Sequence, residues 1–256
     1  MAGQFTWLDL MTNDPNGALP FYKQALGWET ETWGGDTQGM PPYTMWKADG
    51  ENFGGTAPHS EDAKKMGAPP MWLGYVGTDD IGASIKKAQS AGAKVYVDKT
   101  PIPDTGWFAV LADPQGATFA MYQRAPERQV AGDGSLKILT WTELATTDVE
   151  AACDFYGKVF GWHKTDSMDM GEGRGTYQMF GNAGKSIGGI MRKSDTTPVA
   201  SWLYYFRVDD CKKRHEAATK AGAKATLYGP MEVPGGDIAA LMLDAQGAVF
   251  GITSTP

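Results

Sequence analysis

Two tryptophans, Trp7 and Trp141, open two copies of one sequence. The stretch Phe5 to Asp14 (FTWLDLMTND) resembles Leu139 to Asp148 (LTWTELATTD) at an offset of 134 residues. The same offset carries Phe21-Tyr22 onto Phe155-Tyr156, Gly27-Trp28 onto Gly161-Trp162, Tyr43 onto Tyr177, and Gly54-Gly55 onto Gly188-Gly189. It falls to 130 for Trp72 on Trp202 and Asp79-Asp80 on Asp209-Asp210, and ends at 131 where Asp113-Pro-Gln-Gly116 matches Asp244-Ala-Gln-Gly247. Anchors kept in order, with offset changes only at loops, are the mark of a duplication. The chain is therefore expected to fold as two related α+β domains, residues 1–124 and 136–256. The polar, Pro- and Gly-containing segment 125–135 reads as the linker between them.

Within a repeat the hydrophobic period switches. Residues 5–11 alternate, with Phe5, Trp7, Asp9 and Met11 on one side and Thr6, Leu8 and Leu10 on the other, as in a half-buried strand. Asp14-Pro15 supplies an N-cap and a first-turn proline. Ala18, Phe21, Tyr22, Ala25 and Leu26 then make one apolar helical face, which Gly27 ends. Short strands are expected near 28–33, 42–48 and 52–57, between Gly, Pro and Asp turn signals. The pattern restarts with a strand at 71–77, a helix from Asp80 to Gly92, and strands near 93–97, 106–112 and 117–123. Each repeat is thus strand-helix-strand-strand-strand, twice, and the chain holds four such modules.

Charge and composition remove several functions. A net charge of −7 leaves no basic face to neutralise phosphates, so neither nucleic acid nor an anionic membrane is an expected partner. No apolar run approaches the roughly 18 residues of a membrane span. The N-terminal residues show no basic region followed by an apolar stretch, so no secretory signal is read. Cys153 and Cys211 fall in helix-like segments without metal spacing, which suits free thiols in the cytoplasm.

With four modules of this order, the chain resembles the vicinal oxygen chelate superfamily of glyoxalase I, bleomycin-resistance proteins and extradiol dioxygenases. The resemblance spans both repeats, and its subgroup is the two-domain hydroxylase-like proteins. It is carried by Asp14 through Phe21-Tyr22 to Leu26-Gly27-Trp28, by Val208-Asp209-Asp210 with the following helix, and by the Asp113-Pro-Gln-Gly116 turn. It implies modules paired into two cupped, incomplete barrels whose concave faces hold metal or ligand. It also implies where metal ligands would stand: on Trp7 and Trp141 in the first strands, on Ala120 and Gly251 in the last, and on Leu73 and Leu203 in the second-module opening strands. None is a ligand, so no metal and no cofactor is expected. The three histidines, His59, His163 and His215, are expected at the surface and off the cup strands.

What faces the cup instead is aromatic and acidic. Trp7 and Asp9 differ by two and share a face, as do Trp141 and Glu143. A carboxylate among rings is costly without a partner. The candidates are a ligand, a backbone amide, or Arg207 on the Tyr205 face of its strand. Tyr43, Tyr75, Trp107, Tyr177 and Tyr205, with Trp72 and Trp202, are expected to add ring surface. The binding reading is a cup that stacks a small aromatic or partly cationic molecule, with Asp9 and Glu143 as anchors, in a monomer or weak dimer. The structural reading is that the tryptophans plug a vacant cup. The enzymatic reading makes Asp9 or Glu143 an acid/base catalyst, its pKa raised by aromatic burial, or places a metal on an atypical carboxylate site, in a lyase, hydroxylase or dioxygenase-like reaction.

Overall fold

The computed structural model describes residues 2–33, 43–127, 134–171, 173–195, 197 and 199–256. The first module comprises β1 (Phe5–Thr12), α1 (Pro15–Leu26), β2 (Glu29–Thr32), β3 (Thr44–Ala48) and β4 (Glu51–Pro58), followed by a short helix, α2 (Glu61–Lys65). The second comprises β5 (Met71–Gly77), α3 (Ile81–Ser90), β6 (Lys94–Ile102), β7 (Gly106–Ala112) and β8 (Thr118–Arg124). The third runs through β9 (Leu139–Thr146), α4 (Val149–Phe160), β10 (His163–Asp169), β11 (Thr176–Asn182) and β12 (Lys185–Arg192). The fourth runs through β13 (Ser201–Arg207), α5 (Cys211–Lys220), β14 (Ala225–Glu232), β15 (Ile238–Leu243) and β16 (Val249–Ser254).

The module pattern follows from local chemistry repeated four times. An aspartate caps the N-terminus of α1, α3, α4 and α5: Asp14, Asp80, Asp148 and Asp210 each accept the amide of the residue three further on. Such a cap contributes about 1 kcal/mol. The face of α1 that is buried is Ala18, Phe21, Tyr22, Ala25 and Leu26, the set its periodicity requires. Two details depart from the sequence expectation. Helix α2, begun by the Ser60 side chain accepting the Ala63 amide, had too few residues to show a period. Strand β6 runs on to Ile102, past register shifts between Val95 and Val97 and between Val97 and Thr100 that break the alternation. Residue 42 of the expected strand and residues 128–133 of the expected linker lie outside the described residues.

Hydrogen bonds order the strands into two eight-stranded sheets, β2-β3-β4-β1-β5-β8-β7-β6 and β10-β11-β12-β9-β13-β16-β15-β14. Each is drawn from one repeat, and its end strands are not neighbours, so neither sheet closes. Packing divides the chain differently. One compact unit contains Met1–Trp7, Gly74–Leu136 and Trp141–Leu203; the other contains Leu8–Leu73, Lys137–Thr140 and Tyr204–Pro256. In the first, α3 packs with α4, and in the second α1 packs with α5. Each helix pair therefore joins one repeat to the other.

Both cores are built of rings. In the unit containing α1, Tyr22 lies stacked on Trp28 at 5.2 Å and edge-on to Trp72 at 5.4 Å. In the unit containing α4, Tyr156 stacks on Trp162 at 5.4 Å and meets Trp202 edge-on at 5.2 Å. A geometry of this kind adds about 0.5–1.5 kcal/mol per pair to the area buried. Each core is threaded by the same hydrogen-bond chain. Trp72 Nε1 donates to Tyr22 Oη at 3.0 Å, which donates to Asp244 Oδ2 at 2.9 Å. Trp202 Nε1 donates to Tyr156 Oη at 3.0 Å, which donates to Asp113 Oδ2 at 3.0 Å. The other oxygen of each aspartate accepts turn amides, from Gln246, Gly247 and Ala248 in one case and from Gln115 and Ala117 in the other. Burial pushes the Asp113 carboxyl above its ordinary value, and the hydrogen bonds it accepts offset part of that rise.

Two buried acids make alkaline stability predictable in sign. Burial pushes Tyr22 well above 10.0 and the Cys211 thiol from 9.0 up to about 11. The folded state therefore keeps protons that the unfolded chain releases. The stability linked to each group is complete below its unfolded value and declines as pH climbs toward the folded one, by up to about 1.4 kcal/mol per pH unit per group. Urea unfolding at stepped pH is expected to show stability falling from pH 9.0 upward. Cys211→Ala should flatten the first part of that decline; an unchanged slope would refute the assignment.

Candidate functional site

On the sheet face opposite the helices, the two first strands each present a carboxylate held by a tyrosine. In the unit containing α4, Tyr177 Oη donates to Glu143 Oε1 at 2.7 Å and accepts from Trp141 Nε1 at 2.6 Å. In the unit containing α1, Tyr43 Oη donates to Asp9 Oδ1. Tyrosine and acid are 34 residues apart in both repeats. That matched spacing was present in the sequence and is the signal by which the pairs could have been found.

The paired glycines explain how a phenol reaches across the sheet. Asp9 is in register with Gly55 and Glu143 with Gly189. A Cβ on Gly55 would come within 2.1 Å of Tyr43 Oη, and one on Gly189 within 2.1 Å of Tyr177 Cζ. The tyrosine lies flat over the glycine of the intervening strand and so arrives at the acid. These glycines serve close approach rather than turn formation. A third ring is seated the same way: Tyr205, in register with Gly251, lies where a Gly251 Cβ would meet it at 2.2 Å. In the first repeat the corresponding partner of Tyr75 is Ala120, and Tyr75 leans instead toward Phe108 at 6.4 Å.

The remaining expected site residues are placed as follows. Trp7 and Trp141 are half-buried on β1 and β9, and Tyr75, Tyr177 and Tyr205 are buried. Trp107 is half-buried, but Lys99 Nζ lies 4.8 Å from the centre of its ring, so one of its faces is already occupied by a cation of the chain itself. Trp72 and Trp202 do not add to this face. They differ from Tyr75 and Tyr205 by three, an odd number, and strand alternation turns them into the helix-side cores. Arg207 is not the partner of either acid. It is exposed and reaches Asp49, with Nη2 3.7 Å from Oδ2, while the phenols supply the hydrogen bonds the carboxylates need.

The histidines also need correction. His59 is buried, with Nε2 3.1 Å from the Pro69 carbonyl, and burial lowers its pKa. The β4–α2 connection folds back over it, which a count along the sequence cannot reveal. His163 is exposed and opens edge strand β10, and His215 is half-buried on α5, with Nε2 2.7 Å from Thr226 Oγ1.

The donor set does not fit the divalent metal typical of this architecture. Among the described residues no group of three or more His, Cys, Asp or Glu side chains converges. The positions where such ligands would stand carry Trp7, Ala120, Leu73 and their counterparts Trp141, Gly251 and Leu203, and Asp9 and Glu143 are each engaged by a phenol. No helix of the described residues is long and apolar enough to cross a membrane.

Comparison with known proteins gives the family. The profile of the Glyoxalase/Bleomycin resistance protein/Dioxygenase superfamily matches twice, over residues 4–121 and 138–251. The chain is 29% identical over 254 residues to CFP32 of Mycobacterium tuberculosis, provisionally described as a glyoxylase, covering 98% of this chain and 94% of that one. It is 29% identical over 261 residues to the anthracycline biosynthesis protein DnrV of Streptomyces peucetius, covering 98% and 92%. Among solved structures it superposes on the Mn(II)-bound glyoxalase of Novosphingobium aromaticivorans with a TM-score of 0.66 at 16% identity, covering 99% and 82%. That last likeness concerns the fold alone. Two matched repeats spanning nearly the whole sequence, with the same module order in the structure, decide the matter. The chain belongs to the glyoxalase, bleomycin resistance protein and dioxygenase superfamily.

Proposed function

We propose that this protein binds a small planar aromatic molecule at the tyrosine-held carboxylates of its sheets and does so without a metal. The observation that carries the reading is the Trp141–Tyr177–Glu143 chain seated over Gly189, repeated as Tyr43–Asp9 over Gly55. A phenol fixed in this way keeps a carboxylate aimed, beside tryptophans left half-exposed. Flat rings provide stacking area, and an oriented acid provides one polar anchor for a hydroxyl or ammonium donor. The name of the relative DnrV points the same way, since an anthracycline is a flat polycyclic ring system bearing hydroxyl and amino groups.

Titration of the protein with an anthracycline, read by tryptophan quenching and calorimetry, is expected to give saturable binding that chelators leave unchanged. Tyr177→Phe frees Glu143 to swing and should weaken binding by about tenfold, the loss of one charge-assisted hydrogen bond. Stoichiometric manganese, iron, zinc or nickel in protein purified without chelator would refute the metal-free reading. Absence of binding across a broad aromatic panel would refute the ligand class. A catalytic reading is favoured by one specific observation, the burial of Asp9 to 5% exposure with a phenol hydrogen-bonded to it. It requires that Asp9→Asn abolish turnover of a bound compound while leaving its affinity intact.

A further inference from the structure

We propose that the second repeat carries another binding site, away from the tyrosine-held acids, which takes an aromatic carboxylate. It is an open cavity of about 430 Å3 beside α4, within the range of small-ligand sites. Its floor is the rings of Trp162 and Phe180, stacked at 4.7 Å. Its rim carries Lys158, His163 and Lys164 against a single lining carboxylate, Asp154. Lys164 is paired with Glu150. The exposed ammonium of Lys158 makes no ion pair or side-chain hydrogen bond among the described residues, so it is left to meet an anion.

The duplication supplies the control that a single structure lacks. At the offset of 134, Phe180 corresponds to Trp46, Gly157 to Lys23 and Cys153 to Leu19. At these three positions the first repeat carries the larger side chain, whereas Ile190 and Lys164 of the cavity correspond to the smaller Thr56 and Thr30. Trp46 is fully buried, and its indole is larger than the phenyl ring of Phe180 that lines the cavity. An apolar floor with a cationic rim selects a flat body bearing one negative charge, so the occupant is an aromatic monocarboxylate rather than a neutral ring.

Calorimetric titration of the full chain with naphthoate tests this. One equivalent is expected to bind, with the neutral naphthamide weaker by about tenfold for want of the charge-assisted contact. Phe180→Trp, which copies the first repeat, should abolish binding, and Lys158→Ala should weaken it about fivefold. Tyr177→Phe should leave it unchanged, which separates this site from the proposed anthracycline site. Bound naphthoate should also slow alkylation of Cys153, a half-buried thiol lining the cavity, with the fully buried Cys211 as the unreactive reference. Should Phe180→Trp fail to fold, blocking Cys153 with N-ethylmaleimide fills the same space without mutation. Equal affinity for the amide, binding that survives Phe180→Trp or the maleimide block, or a Cys153 that naphthoate does not protect would each overturn the proposal. So would loss of binding in Tyr177→Phe, or no binding at all.

Discussion

Asp244→Ala is expected to lower the free energy of unfolding by about 4 kcal/mol, the upper range for a single substitution. The aspartate is 1% exposed and accepts three turn amides on one oxygen and the Tyr22 phenol on the other. Removing it orphans several donors at once inside a dry core, and each costs about 1–3 kcal/mol when left unmade. The loop also loses the group that shapes it, since Gly247 is held at a φ of +106° that other residues rarely adopt. Asp113→Ala should behave alike in the other unit, somewhat less severely, because the Asp113 oxygen accepts two turn amides where that of Asp244 accepts three. Asp244→Asn gives an informative intermediate. Its amide oxygen can still accept the turn amides, but its NH2 group opposes the Tyr22 hydroxyl. Urea titrations should show midpoints ordered wild type, Asp244→Asn, Asp244→Ala with similar slopes. A cost below about 1 kcal/mol for the alanine variant would mean that the network contributes little.

Gly189→Ala is expected to have the largest effect of any single methyl addition on the candidate site. The new Cβ would stand 2.1 Å from Tyr177 Cζ, a separation no side chain can accept. Either the ring leaves Glu143 or the β11–β12 pairing deforms, at a cost of about 1–3 kcal/mol. Anthracycline binding should fall at least as far as in Tyr177→Phe, because the acid loses its phenol and the ring intrudes on the space meant for the ligand. The double variant Gly189→Ala/Tyr177→Phe should be no worse in binding than Gly189→Ala alone, since both act through one contact. Additive losses would show that the glycine serves something other than the tyrosine. Gly55→Ala tests the first repeat in the same way.

The particular residues show how much could be read in advance. The Asp14, Asp80, Asp148 and Asp210 caps, the buried face of α1 and the four-module order were all legible, because each is set by neighbours a few residues apart. That Trp141 and Glu143 share one face of β9 was legible because strand alternation is local too. The partners of the acids were not. Arg207 looked like a match on charge, yet the phenols 34 residues away took the acids, through a path that depends on strand order and on a glycine in the strand between. Trp72 and Trp202 were misassigned for a different reason. Their richness in ring area outweighed the odd spacing from Tyr75 and Tyr205 that places them on the other face.

The sequence by itself determined that the chain is a doubled double, four modules with one period pattern and one capping scheme. Hydrophobic period and turn chemistry are short-range properties, and a repeated sequence repeats them. Which module packs with which was decided only in three dimensions. Tyr22 of the first repeat donates its hydrogen bond to Asp244 of the second, and Tyr156 of the second donates its own to Asp113 of the first. Because the copies present nearly identical faces, each aspartate could in principle have accepted the tyrosine of its own repeat. Faces fix what must be buried, whereas chain connectivity and the geometry of whole sheets choose the partner.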